Sequence, residues 1–264
     1  MAEGSKFIAR GAAGYERFMG QWSRRLAPLF LDFAGLASGE HVVDVGCGTG
    51  SLTTAVEATG LAGRIDAVDY DPGFVAAARE RLPVLAAQII QGDACALIYP
   101  DATFDRALSM LVLQFVGDPA RAATELRRVL RPRGVAAACV WDAFAGLPRV
   151  RMFWDVIAAI EPAAAGRRAD GAFRQVSAPG DLTALFRTAG FTNVVETMLA
   201  IRMDFADFED YWEPMMTGQG TIDEFVKAHG EARLKDAVRE AYLSGAPDGP
   251  RSFPAIALAV RGVA

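Results

Sequence analysis

The sequence predicts an α/β domain built on a doubly wound, mainly parallel sheet. Short β-rich runs alternate with amphipathic stretches from position 41 to position 142. The strand candidates are almost continuously apolar, as strands covered on both faces are. Asp-Pro starts and Pro or Gly stops fall between them, where helices should begin and end. The chain has 264 residues, 52% of them hydrophobic, enough for one such core and a covering segment.

Taken in order, "GYERFMGQWSRRLAPLFLDF" places Tyr15, Phe18, Met19 and Trp22 at helical spacing, so residues 1–40 are expected as a helical cap packed on the core. "HVVDV" is the first strand, and "SLTTAVEAT" follows as a helix with Leu52, Ala55, Val56 and Thr59 on one face. "RIDAVDY" is the second strand. "DPGFVAAARERLP" then opens a helix with Asp71 as N-cap and Pro72 at its first position. "AAQIIQGD" and "RALSMLVL" are the third and fourth strands.

"DPARAATELRRVLRPRG" repeats the Asp-Pro start, with Ala122, Leu126, Val129 and Leu130 on one helix face and Pro132 and Gly134 marking its end. "GVAAACVW" is the fifth strand. Beyond Asp142 the rhythm changes. "RVRMFWDVIAAIEP" reads as a helix, followed by a loose stretch rich in Ala, Gly and Arg. "DLTALFRTAGF" is a helix ending at Gly190, "TNVVETMLAIRM" a strand, and "FPAIALAVRG" the closing strand. The expected organisation is therefore a cap at 1–40 and a core at 41–142, completed by 180–203 and 252–264. Helical lid segments at 143–179 and 204–251 interrupt it.

Composition narrows the function. A net charge of −5 and the lack of a basic stripe argue against nucleic-acid binding. Cys47, Cys95 and Cys139 form no C-x-x-C pair, which points to reduced thiols and a cytoplasmic protein. The opening residues lack a signal-peptide core, and the longest apolar runs are too short to span a bilayer. With His41 and His229 the only histidines, metal-hydrolase spacings are absent and no metal site is expected.

The stretch "DVGCGTGS" ends the first strand. Gly46, Gly48 and Gly50 permit unusual dihedrals and let a ligand approach bare backbone. A P-loop would need a Lys after the last glycine, and G-x-G-x-x-G spacing is not met. Asp44, two residues before Gly46, would repel a pyrophosphate but attract an ammonium group. The spacing D-x-G-x-G-x-G suits a ligand with an amino-acid tail.

"VVDVGCGTG" closely resembles the first signature of class I S-adenosylmethionine-dependent methyltransferases. "IDAVDYDPGFVAAARERL", "QGDACALIYPDATFD", "ELRRVLRPRG" and "AGFTNV" resemble later segments of that family, in order, although Arg133 stands where Gly is commoner. The likeness is nearest to the small-molecule branch that includes ubiquinone and menaquinone biosynthesis methyltransferases. It implies a Rossmann-like, seven-stranded sheet whose last strand is antiparallel, with S-adenosylmethionine as cofactor and S-adenosylhomocysteine as product.

By the same resemblance, Asp44, Gly46, Cys47, Gly48 and Gly50 form the cofactor loop, and Asp69 holds the ribose hydroxyls. Asp93 and Ala94 flank the adenine. Tyr70 packs on the adenine or covers the sheet edge. Cys47 has no neighbouring base and reads as a small residue, not a nucleophile. Ser109 and Met110 line the methionine portion and Gln114 faces the cofactor, or all three are core packing. Tyr15 closes over the cofactor from the N-terminal helix.

An apolar or aromatic acceptor pocket is expected under Trp141, Phe144, Phe153, Trp154, Tyr211, Trp212, Met215 and Met216, which would equally serve as lid packing or a dimer contact. His229 is the one candidate base, or a surface residue. No N-P-P-Y type motif and no paired-glutamate loop is evident, so the expected reaction is methylation of O, N or C in a small molecule by a monomer or homodimer. The alternatives are an NAD(P)-dependent oxidoreductase and a non-catalytic adenosylmethionine-binding protein.

Overall fold

The computed structural model describes residues 11–162, 175–217 and 221–264. The loose Ala, Gly and Arg stretch lies largely outside them. Helix α1 (Ala12–Tyr15) runs through a π-helical turn (Glu16–Gly20) into α2 (Gln21–Ala34). Then come β1 (His41–Val45), α3 (Ser51–Thr59), β2 (Arg64–Asp69), α4 (Pro72–Arg81), β3 (Ile89–Gln91), β4 (Phe104–Met110), α5 (Pro119–Arg128) and β5 (Leu130–Trp141). Helix α6 (Pro148–Ile160), α7 (Asp181–Thr188), β6 (Thr192–Phe205), α8 (Phe208–Trp212), a 3-10 turn (Glu213–Met216), α9 (Thr221–His229), α10 (Glu231–Leu243) and β7 (Arg251–Val263) complete the chain.

The seven strands lie in the order β3-β2-β1-β4-β5-β7-β6. Strands β1 to β5 pair in parallel, and β7 runs antiparallel to both β5 and β6. The fold expected from the sequence is borne out. Chain order reverses between β1 and β4, so their carboxyl ends open the crevice in which such sheets bind ligands.

Side chains alternate across the sheet. Val42, Leu108, Ala137, Cys139, Ala257 and Ala259 pack with α2, α6 and the late helices, while Val43, Ala136, Ala138 and Val260 pack with α5 and α7. Asp44 therefore points to the α2 face. Local chemistry places the helix starts: the carboxylates of Asp71 and Asp118 accept from the Phe74 and Arg121 amides, each with a proline next in sequence.

Several boundaries differ from the sequence reading; β3 is confined to Ile89–Gln91 and β4 ends at Met110, short of the expected Leu113. Helix α5 stops at Arg128, and Leu130, expected on its apolar face, instead pairs with Phe104 at the start of β5. The Val129 carbonyl accepts from the amides of Thr103 and Phe104 and so draws the chain onto β4. The register shift that follows places Arg133 at φ +71, the conformation glycine favours. Strand β6 also extends past its expected end to Phe205, because Asp204 and Phe205 pair with Ser252 and Arg251.

Helix α2 fastens the N-terminal segment to the sheet by burying Trp22, Leu26 and Phe30. With Phe30 fully buried, Phe30→Ala is expected to lower the unfolding free energy by about 3–5 kcal/mol in a denaturant titration. A loss under about 1 kcal/mol would show that α2 is not part of the cooperative core.

Candidate functional site

Strand β1 ends in a turn held by β2: the Gly46 and Cys47 amides both donate to the Val68 carbonyl, at 2.7 and 3.0 Å. Two glycines of this turn serve different ends. At Gly46, φ is +79 and a Cβ would sit 2.3 Å from the Val112 side chain, so packing of the loop after β4 forbids a side chain. At Gly48, φ is +56 and no atom lies within 4 Å of where a Cβ would be, so its bare face is turned to open space.

A small pocket opens on this turn, lined by Tyr15, Ser23, Asp44, Gly46, Cys47, Gly48, Thr49, Ser51, Leu52 and Met110. Asp44 is 1% exposed. Its Oδ2 accepts from the Thr53 hydroxyl at 2.7 Å, while Oδ1 has no partner. The Ser51 hydroxyl is likewise buried without a partner. Burial pushes the Asp44 carboxyl up to about 7, the Thr53 bond opposes this, and the charge of Asp69 adds to the rise. An acid in this setting calls for a donor, best a cationic one.

Asp69 sits beside the turn. Its two oxygens accept from the Gly48 amide at 2.8 Å and the Asp71 amide at 2.9 Å, so it braces the glycine loop against the start of α4. Burial raises its proton affinity, and those backbone bonds offset part of the rise. Next along the sheet edge, the Gly92 amide donates to the Asp69 carbonyl, and Asp93 accepts from the Cys95 amide. Asp69, Asp93 and the half-exposed Tyr70 thus line up along one rim, with Ala94 buried behind them.

The N-terminal segment closes the pocket. Tyr15 packs on Phe74 with ring centroids 5.0 Å apart, and its hydroxyl is 3.4 Å from Ser23 Oγ. Glu16 lies over the loop, accepting from Thr49 and Arg24 and pairing with Arg81 at 2.8 Å. Burial works against its charge, but the Arg81, Thr49 and Arg24 hydrogen bonds prevail and hold it below the ordinary carboxylate range. The π-helical geometry of Glu16–Gly20 is a distortion that often marks functional sites. A volume of about 20 Å³ leaves the pocket room for a water, not a nucleoside.

The remaining candidates divide. Met110 reaches the pocket, but Ser109 spends its hydroxyl on the Val45 carbonyl inside the sheet, and Gln114 accepts from the Trp141 amide. Burial pushes the Cys47 thiol up, with Asp44 and Asp69 adding to the effect, so it stays protonated and is no nucleophile. His229 ends α9, exposed and stacked on Phe225, with Nδ1 donating to the Phe225 carbonyl; it does not reach the pocket.

Trp141, Phe153, Trp154, Tyr211, Trp212 and Met215 pack into the core on the α2 face, with Met216 partly buried against them, whereas Phe144 is 43% exposed. Aromatic rings find one another before they find solvent. Sequence reasoning passed over Glu16, Ser23, Ser51 and Thr53; the hydroxyls in the first turn after a glycine loop were the available signal. Among the described residues, no group of three or more His, Cys, Asp or Glu is placed to hold a metal, and no helix is long and apolar enough to cross a membrane.

Residues 43–138 match the family described as Methyltransferase domain. A protein of Streptomyces fradiae named for transposon TN4556 is 39% identical over 42% of this chain and 33% of its own length. The demethylmenaquinone methyltransferase of Renibacterium salmoninarum is 34% identical over 44% of this chain and 47% of its own. The chain thus spans between a third and half of these curated relatives. Among solved structures, a Haemonchus contortus phosphoethanolamine N-methyltransferase 2 has the same fold, with a TM-score of 0.57 at 14% identity over 96% of this chain and 56% of its own.

The Asp44 geometry carries a pH signature. Its carboxyl keeps a proton in the fold up to about pH 7 and releases it near 4 when unfolded. The fold therefore binds the extra proton in between, so this contribution to stability is full below about pH 4, lost progressively as pH rises to about 7, and constant above. Urea titrations at pH 5 and 7.5 are expected to show a loss that is smaller in Asp44→Asn by on the order of 2 kcal/mol. Equal losses in the two proteins would contradict the assignment.

Proposed function

We propose that this chain, whose core is that of a class I S-adenosylmethionine-dependent methyltransferase, moves a methyl group from that cofactor to O, N or C of a small apolar or aromatic molecule. The observation that carries the reading is the buried, unpartnered Asp44 Oδ1 beside the bare face of Gly48. A carboxyl with a spare acceptor, next to backbone that admits close approach, complements an amino-acid ammonium. A dinucleotide would bring phosphate charge to the same place, against the carboxylates of Asp44 and Asp69.

Asp44 and Ser51 would hold the amino-acid end of the cofactor, Asp69 the ribose, and Asp93 with Ala94 the adenine. The bound cofactor supplies an electrophilic methyl on a sulfonium, whose charge disappears as the methyl leaves. What remains for the protein is alignment in a dry space, worth roughly 7–11 kcal/mol in favourable systems. Because the closed pocket holds no nucleoside, Tyr15 to Gly20 must swing off the loop and the Glu16 bridge to Arg81 must break on entry. Residues 143–179 and 204–251 are proposed as the cover of the acceptor site.

S-Adenosylhomocysteine at about 100 times its Kd should add about 2.7 kcal/mol and raise Tm by several degrees. NADH should leave Tm unchanged, and Asp44→Asn should reduce the adenosylhomocysteine response. Stabilisation by NADH and none by adenosylhomocysteine would replace this reading with the oxidoreductase one.

A further inference from the structure

Among the described residues two arginines are almost wholly buried, and they differ in what they meet. Arg106 is 5% exposed and holds the Glu40 carboxylate through Nε at 2.6 Å and Nη2 at 2.7 Å. Arg149, at the start of α6, is 1% exposed and meets no carboxylate. Its Nε has no hydrogen-bond partner, and its Nη2 faces only the Met19 sulfur at 3.9 Å. The Phe18 and Phe205 rings flank the guanidinium, their centroids 5.1 and 5.8 Å from Cζ. Tyr211 donates to the Arg149 carbonyl, which leaves the side chain uncompensated.

Burial depresses the Arg149 guanidinium only to about 10, so it remains cationic at neutral pH. An uncompensated buried charge is costly, and an apolar side chain of similar volume would fill the space at no such cost. Arg149 occupies the apolar face of α6 with Phe153 and Ile157, where a residue serving only to pack would be hydrophobic. Something other than folding accounts for the charge.

We propose that Arg149 recognises the methyl acceptor, and that the acceptor is an apolar or aromatic molecule bearing a carboxylate. This inference rests on the methyltransferase reading. Nε and Nη2 form one edge of the guanidinium, a flat pair of donors matched to the two oxygens of a carboxylate. The acid displaces the Met19 thioether, and the rings of Phe18 and Phe205 border its apolar part.

The position suits the role, because Phe18 and Met19 belong to the same π-helical turn whose neighbour Tyr15 fills the glycine-loop pocket. One movement of that segment uncovers both the cofactor loop and the guanidinium. A cleft of about 430 Å³ runs between this segment and residues 209–214. Of its carboxylates, Glu16, Glu209 and Glu213 hold Arg81, Lys235 and Arg17, and Asp210 accepts from the Ala206 amide.

The test compares wild type with Arg149→Met and Arg149→Lys. Benzoate, 4-hydroxybenzoate and decanoate are titrated calorimetrically against benzamide, 4-hydroxybenzamide and decanamide, with and without S-adenosylhomocysteine. At least one acid is expected to bind wild type about tenfold or more tightly than its amide. Arg149→Met should melt at or above the wild-type temperature, keep its adenosylhomocysteine affinity within about twofold, and lose the preference for acids. Arg149→Lys should retain part of it, since the charge remains without the fork.

Four results would each overturn the proposal: amides binding as well as acids, no acid binding to wild type, acid preference intact in Arg149→Met, or adenosylhomocysteine affinity falling tenfold in that variant. The last would put the guanidinium on the carboxylate of the cofactor. If the acids bind as described but adenosylhomocysteine never does, the anion site stands and the methyl-transfer reading falls.

Discussion

Asp44 is a buried carboxyl that the fold satisfies through one oxygen only, and much of the site follows from that. Asp44 ends a strand buried on both faces, where an apolar side chain would pack without penalty. Only Thr53 answers it, through one oxygen; the other oxygen has no partner, and the residue lines the pocket with Tyr15. A group of this kind persists when a ligand satisfies it for part of the time. The glycines that follow serve the same end: Gly46 lets the loop after β4 close in from behind, and Gly48 leaves the front bare.

The N-terminal segment joins two of the buried polar groups that lack a partner, Asp44 and Arg149. From one side of a short π-helical turn, Tyr15 and Glu16 cover Asp44 and its loop; from the other, Phe18 and Met19 cover Arg149. The segment is secured by exchangeable polar bonds at the loop and by apolar burial further along α2. Such an arrangement lets the first turns lift while α2 stays docked. An acid awaiting a cation and a cation awaiting an acid then become accessible together, as a reaction between two bound molecules requires.

Much of this was legible in the sequence, for physical reasons. Strands buried on both faces need uninterrupted apolar runs, so β1, β2, β4 and β5 declared themselves, and the Asp71 and Asp118 caps marked two helices. The end of α5 misled because Val129 and Leu130 continue its apolar face, and only pairing with Phe104 claims Leu130 for the sheet. The aromatic residues past position 141 read as a pocket roof, although most of them pack on one another, a contact that spacing along the chain does not encode. Arg149 was hidden for the opposite reason: a charge near a helix start reads as solvent-facing until tertiary packing closes over it.

In the proposed complex Asp44 exchanges its proton for the ammonium of the cofactor. The most direct measurement is calorimetric titration of S-adenosylhomocysteine at pH 6 in two buffers of different ionisation enthalpy, which counts protons released on binding. With the carboxyl held near 7 in the free protein, binding should release about one proton from wild type and close to none from Asp44→Asn. Tight binding with no proton released from wild type would contradict the assignment of that carboxyl to the cofactor.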